Sequence, residues 1–334
     1  MKFTGKDIIR YGLLLALTAV LLYLALRAVS WKEFTDILAR CNYRWIFATM
    51  AVQWVITYLR GNRWRIMMRP LSREITRRET YDAYALCYLA NIPFPRLGEV
   101  ARCGLIGSTG KTTFEAALGT VVIERTWDII CAFILVIPLF FFGRFRDFLV
   151  EKMFTPAAEA MNVGTLWLVL GVVAAAAAAV ILLMALKKPI SATRFGGKFF
   201  GFLHSLADGV KSGFRMERKW AFFGYTALIW AGYLICSLWT IYAFPCTEEM
   251  GLSDALFLMV VGTLGWIVPV QGGFGAYHFI VAMTLVPMYG FDFNNSMAFA
   301  TISHESQIVQ MLVCGLISLG SWYLYKRKEN LKKI

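Results

Sequence analysis

The sequence predicts an all-α integral membrane protein, and three observations carry that prediction. Hydrophobic residues make up 58% of the chain and charged residues only 16%, whereas a soluble domain carries about a quarter charged residues. The apolar residues come in long blocks, and the stretch 164–186 contains no charge at all. At about 1.5 Å per residue that stretch crosses a hydrocarbon core of roughly 30 Å. The basic residues collect between the blocks, as membrane orientation requires. The net charge of +13 therefore reads as topology and not as a nucleic-acid surface. Seven cysteines, odd in number, lie mostly inside the blocks without CxxC spacing, so neither a disulfide framework nor a zinc site is indicated. The three histidines, His204, His278 and His304, are too scattered in sequence to suggest a metal cluster. No metal, cofactor or catalytic residue set is expected.

Taken in order, the blocks predict about six full transmembrane helices, at about 9–28, 44–66, 113–141, 163–186, 219–243 and 296–325. The first follows Lys2, Lys6 and Arg10, as a signal peptide would, but Arg27 stands where a small-residue cleavage site belongs, so it reads as a helix. Seven arginines between Arg60 and Glu79, eight basic residues from Lys187 to Lys219 and five in the tail from Lys326 contrast with a charge-balanced segment at 143–162 and with acidic Glu248 and Glu249. The positive-inside rule places both termini in the cytoplasm.

Two apolar segments do not fit as spans. Thr80 to Ile106 is broken at Asn91-Ile-Pro-Phe-Pro95, and Leu252 to Pro287 at Pro269-Val-Gln-Gly-Gly-Phe-Gly275. If either crossed fully, every later loop would lie on the wrong side for its charge, so both read as re-entrant helical hairpins, the first entering from the cytoplasm and the second from outside. The single transmembrane domain, 1–334, then contains an inverted repeat: about 44–141 matches about 219–325 in order and spacing. Paired broken helices in inverted halves are an architecture of membrane transporters, with the substrate between the breaks. The competing reading is that Pro and Gly merely kink ordinary spans.

Each break starts a new half-helix whose positive dipole end points into the membrane, ready for an anion such as a lipid phosphate. Pro95 suits a first helical position. Arg96, Glu99 and Arg102 follow at three-residue spacing and share one helix face. Gly272, Gly273 and Gly275 let the second break turn sharply and leave amides uncovered. Glu124, Arg125 and Asp128 fall roughly 15–20 Å along the span that starts near Thr113, with Arg125 expected to pair with Asp128. Charges at that depth cost several kcal/mol unless paired; they read either as a binding site or as an ion pair holding hairpin to span, and the two are compatible. Arg60, Arg63 and Arg65 end the second span; their first role is orientation or headgroup contact, with Asn62 and Arg63 leaning into the cavity. Asn91, Gln271 and His278 complete the candidate substrate-binding residues, and Ser303 to Gln307 add polar groups beside them. Apolar residues from Phe195 to Phe214 recur at helical spacing among lysines, predicting a cytoplasmic amphipathic helix at about 190–215.

Asn91-Ile-Pro-Phe-Pro-Arg-Leu-Gly-Glu-Val-Ala-Arg102, Glu124-Arg125-x-x-Asp128 and Pro269-Val-Gln-Gly-Gly-Phe-Gly275 together resemble the lysylphosphatidylglycerol synthase transmembrane region, or flippase-like, family over nearly the whole chain. The resemblance implies translocation of a phospholipid, an aminoacylated phospholipid or a polyprenyl-linked lipid between leaflets of a bacterial or archaeal cytoplasmic membrane. Membrane lipids with anionic headgroups are the implied partners; self-association or a separate envelope enzyme stays open. Gln271 and His278 depart from the family, which often has Pro and an acidic residue there, so a different lipid preference is expected. The synthases append a soluble aminoacyltransferase domain, which this chain, ending at Ile334, has no room for; aminoacyl transfer by it alone is not expected. The alternatives are an intramembrane transferase acting on lipid-linked substrates, or an accessory subunit of an envelope pathway.

Overall fold

The structure is a computed structural model that describes residues 5–141, 143–149, 151 and 214–331. The predicted span at 163–186, and the amphipathic helix up to residue 213, lie outside them. Among the described residues every regular element is helical. α1 (Gly5–Leu26) turns by 84° into α2 (Trp31–Arg40), a helix absent from the sequence reading. α3 (Tyr43–Met68) begins where Asn42 Oδ1 accepts the Arg44 amide at 3.2 Å. α4 (Arg77–Asn91) begins with a reciprocal capping box between Thr76 and Glu79, which satisfies two otherwise orphaned donors.

After the break, α5 (Leu97–Gly107) leads to α6 (Phe114–Val136), capped by the Thr113 hydroxyl. The sequence predicts one helix through residue 141. The α-helix instead ends at Val136, where Pro138 tightens the chain into a 3₁₀ turn over Ile137–Phe140, because its ring cannot continue the ladder. α7 (Gly143–Leu149), α8 (Lys219–Ile241), α9 (Leu252–Ile267), α10 (Ala276–Tyr289) and α11 (Phe293–Leu331) complete the described chain.

Among the described residues two helices, α8 and the stretch Phe293–Arg327 of α11, are long and apolar enough on their own to cross a bilayer, and Gly12–Leu26 with α2 forms a bent third. α3 carries arginines in its C-terminal third, and α6 carries charges at its centre. Large apolar side chains point outward, among them Phe47, Phe133 and Leu316, each more than half exposed. Such faces suit lipid, where no hydrophobic force drives them inward.

Two cores form. One joins Trp64, Tyr84, Ile106, Val121 and Trp127 of α3–α6 with Phe222 and Trp322; the other joins Phe257, Tyr277, Leu285 and Phe299 of α9–α11 with Ala25 and Phe34. Ile56 against Ile229 and Cys236 stitches α3 to α8 between them.

The pairs α4–α5 and α9–α10 each fold back as a hairpin, and both pack on α11. The first hairpin's outer end meets the C-terminal part of α11: Ser321 donates to Asp82 at 2.7 Å and Tyr325 to Glu79 at 2.8 Å. Lys111 adds a 2.8 Å contact to the same Glu79. Partial burial disfavours the Lys111 charge, but Glu79 outweighs it and holds the ammonium above its usual pKa. Nearer the first tip, Leu89 packs on Gly315; at the second tip, the Gly272 carbonyl accepts from His304 at 2.8 Å. These two contact points lie about 16 Å apart along α11 at the helical rise, and the hairpins approach them from opposite ends of that helix.

Candidate functional site

The first tip is built by backbone proximity. A Cβ on Gly98 would fall 2.1 Å from the Cys87 carbonyl oxygen, so α4 and α5 close on each other only because residue 98 is glycine. Asn91 Oδ1 accepts the Gly98 amide at 2.7 Å; Asn91 is thus placed to close the turn. Arg96 takes a left-handed backbone, φ 63°, uncommon for a residue with a side chain. It is the residue before the helix, which starts at Leu97 and not at Pro95. Arg96 therefore does not share a helical face with Glu99 and Arg102; it stands exposed at the tip.

Three arginines converge on two carboxylates one turn apart on α6. Arg102, fully buried, donates to Glu124 Oε2 at 2.8 Å, and its guanidinium lies over the Trp64 and Tyr84 rings at 4.6 and 4.5 Å. Arg63, fully buried, reaches Glu124 Oε1 at 3.3 Å and Asp128 Oδ1 at 2.8 Å. Arg60 reaches the same two residues at 3.3 and 3.1 Å and donates to the Tyr233 hydroxyl at 2.7 Å. Tyr84 donates to Glu124 as well. Glu124, with no exposure, is thus the acceptor hub for α3, α4 and α5. Three guanidinium charges against two carboxylates leave the cluster net positive. Arg63 Nε and Arg102 Nε and Nη1 are buried with no partner among the described residues. Leftover donors on buried cations are what an anion's oxygens would satisfy.

Arg125 does not pair with Asp128 as expected. Its side chain turns to another face of α6 and meets Glu99 at 2.7 Å, with Arg125 46% and Glu99 22% exposed. The reason is that Arg60 and Arg63 already occupy Asp128 from inside. Arg60 in particular is not an orientation residue: it is 7% exposed and belongs to the cluster. The signal was present in the sequence, since Arg60 and Arg63 at i, i+3 on one helix complement Glu124 and Asp128 at i, i+4 on another.

At the second tip Gly272, Gly273 and Gly275 all have positive φ, and a Cβ on Gly275 would lie 2.6 Å from the Leu22 amide nitrogen of α1. Gln271 accepts from Thr18 of α1. The turn is not open to an anion in the expected way: Gly272 and Gly273 are buried, and the Gly273 amide faces the Val270 carbonyl at 3.4 Å. His278 and His304, scattered in sequence, are brought together on α10 and α11 with ring centroids 4.8 Å apart, and Glu305 contacts both.

The site residues predicted from sequence thus fall into two groups. Arg63, Asn91, Arg96, Glu99, Arg102, Glu124, Arg125 and Asp128 gather around the first tip; Gln271, the three glycines and His278 gather around the second. No curated protein and no solved structure matches the chain. The family described as lysylphosphatidylglycerol synthase TM region matches residues 10–320, nearly the whole length. The chain belongs to the lysylphosphatidylglycerol synthase TM region family.

Proposed function

We propose that this protein moves a lipid with an anionic headgroup between the leaflets of a bacterial or archaeal cytoplasmic membrane. Membership of a membrane family concerned with lipids supports the substrate class, and one observation carries the reading: a buried, net-positive Arg60–Arg63–Arg102–Glu124–Asp128 cluster with guanidinium donors to spare. In this reading about six full spans flank two re-entrant hairpins, both termini are cytoplasmic, and 44–141 and 219–325 form an inverted repeat. The approach of the hairpins to α11 from opposite ends supports the inversion.

Exposed Arg96 at the tip and half-exposed Arg125 form the rim that first meets a phosphate. Glu99 holds Arg125 outward. Behind them, Glu124 and Asp128 keep Arg60, Arg63 and Arg102 charged within the membrane and fixed in place, since a charge there is tolerable only when paired. Rocking of one repeat against the other alternates access.

The test is scrambling of fluorescent phosphatidylglycerol in proteoliposomes, read by quencher accessibility. A charge-assisted hydrogen bond contributes about 1.5–3 kcal/mol, so Arg96→Ala combined with Arg125→Gln slows translocation about tenfold or more. Equal rates for wild type and the double variant, or a wild type no faster than empty vesicles, would refute the reading.

A further inference from the structure

We propose that His278, His304 and Glu305 bind one divalent transition-metal ion of the zinc class. The three residues come from α10 and α11 beside the second tip, away from the arginine cluster. One ligand atom from each lies within 4.8 Å of the others. Glu305 Oε1 is 3.0 Å from His304 Nδ1 and 3.4 Å from His278 Nε2. Two ligands on a tetrahedral ion with bonds of about 2.0–2.1 Å stand roughly 3.3 Å apart, so both separations suit a shared ion.

Proton placement points the same way. His304 Nε2 lies 2.8 Å from the Gly272 carbonyl oxygen, which only accepts, so that nitrogen carries the hydrogen. With that hydrogen on Nε2, Nδ1 faces a carboxylate oxygen at 3.0 Å, a contact that either a proton or a metal ion bridges. A single proton answers that contact alone; the 3.4 Å contact to His278 is longer than an ordinary hydrogen bond. A divalent ion answers both. The carbonyl–imidazole contact is also the outer-shell partner that fixes the orientation of a metal-bound histidine. Trp266 stacks on His304 at 5.2 Å and Phe274 stands edge-on at 5.0 Å, giving the rings an apolar wall. Glu305 is 37% exposed, which gives the ion an entry path and leaves a fourth position for water or an anionic oxygen, as in open His–His–Glu zinc sites.

The experiment uses the purified full chain, stripped with chelator and then dialysed against zinc or cobalt(II). Bound metal is measured by mass spectrometry, and the cobalt form by its visible ligand-field bands. One ion per chain is expected, with cobalt bands of a four- or five-coordinate site. Glu305→Gln, which keeps the shape of the side chain, and His278→Ala each weaken binding by at least the roughly 10–100-fold that losing an outer-shell partner costs, and His204→Ala leaves it unchanged. A wild type that takes up no ion from either solution overturns the proposal, as does an ion that survives both substitutions or disappears with His204→Ala. Histidine titration without metal uptake would identify a proton site only and overturn it equally.

Discussion

Replacing Glu124 by Gln tests the cluster at its hub. The change keeps the side-chain shape and one acceptor oxygen for Tyr84, but removes the charge that Arg60, Arg63 and Arg102 share. Arg60 and Arg63 retain Asp128 at 3.1 and 2.8 Å. Among the described residues Arg102 has no second carboxylate, and two of its nitrogens already lack partners. Breaking a buried pair from one side costs about 3–5 kcal/mol because the remaining charge stays buried. Glu124→Gln is therefore expected to destabilise the protein by about that amount, measured by reversible unfolding in mixed micelles of SDS and a mild detergent. Adding Arg102→Gln removes the stranded charge, so the double variant is less destabilised than the sum of the two single ones, with a coupling of about 0.5–3 kcal/mol. Additive losses, or a Glu124→Gln protein within about 0.5 kcal/mol of wild type as an ordinary surface change would be, would refute the hub.

Three further substitutions separate structural from functional roles. Arg96→Gly relieves the left-handed backbone and raises stability by about 1 kcal/mol, while slowing lipid scrambling; a stability loss in the unfolding assay would contradict the backbone assignment. Gly275→Ala places a methyl group against α1 at a positive φ, which costs about 2 kcal/mol or more, and a wild-type melting profile would show that α1 does not pack there. Arg125→Gln, at a partly exposed pair, lowers stability by less than about 1 kcal/mol yet slows scrambling; a large unfolding effect with unchanged transport would make that pair purely structural.

Much of the fold was legible because lipid enforces simple rules. Both breaks, the flanking helices and the charge deep in α6 could be read from hydropathy and loop charge, and the described helices begin within about four residues of the predicted starts, while α6 ends earlier and α11 later than predicted and the span at 163–186 lies outside the described residues. α2 was missed although Trp31, Phe34, Ile37 and Leu38 recur at helical spacing among Lys32, Glu33, Asp36 and Arg40; at ten residues it is too short to register in a search for spans. The candidate site was legible in composition but not in pairing. Arg125 follows Glu124 directly, and a step of about 100° around the helix sends its side chain to another face, so Glu124 faces the interior and Arg125 the rim. The partners Arg60, Tyr84 and Tyr233 come from α3, α4 and α8, and only the packing of those helices decides which charges meet. The His278–His304–Glu305 group is hidden for the same reason.

The proposed transport requires two hairpins that enter from opposite faces of the membrane. Single cysteines at Arg73, Ser108, Glu249 and Asp292, in a chain whose seven native cysteines are replaced, can be probed with an impermeant maleimide in right-side-out and inverted vesicles. Labelling of 73 and 108 only from the cytoplasmic side, with 249 and 292 only from the outer side, is the predicted result. Labelling of 73 and 108 from different sides, of 249 and 292 from different sides, or of all four from one side would contradict it.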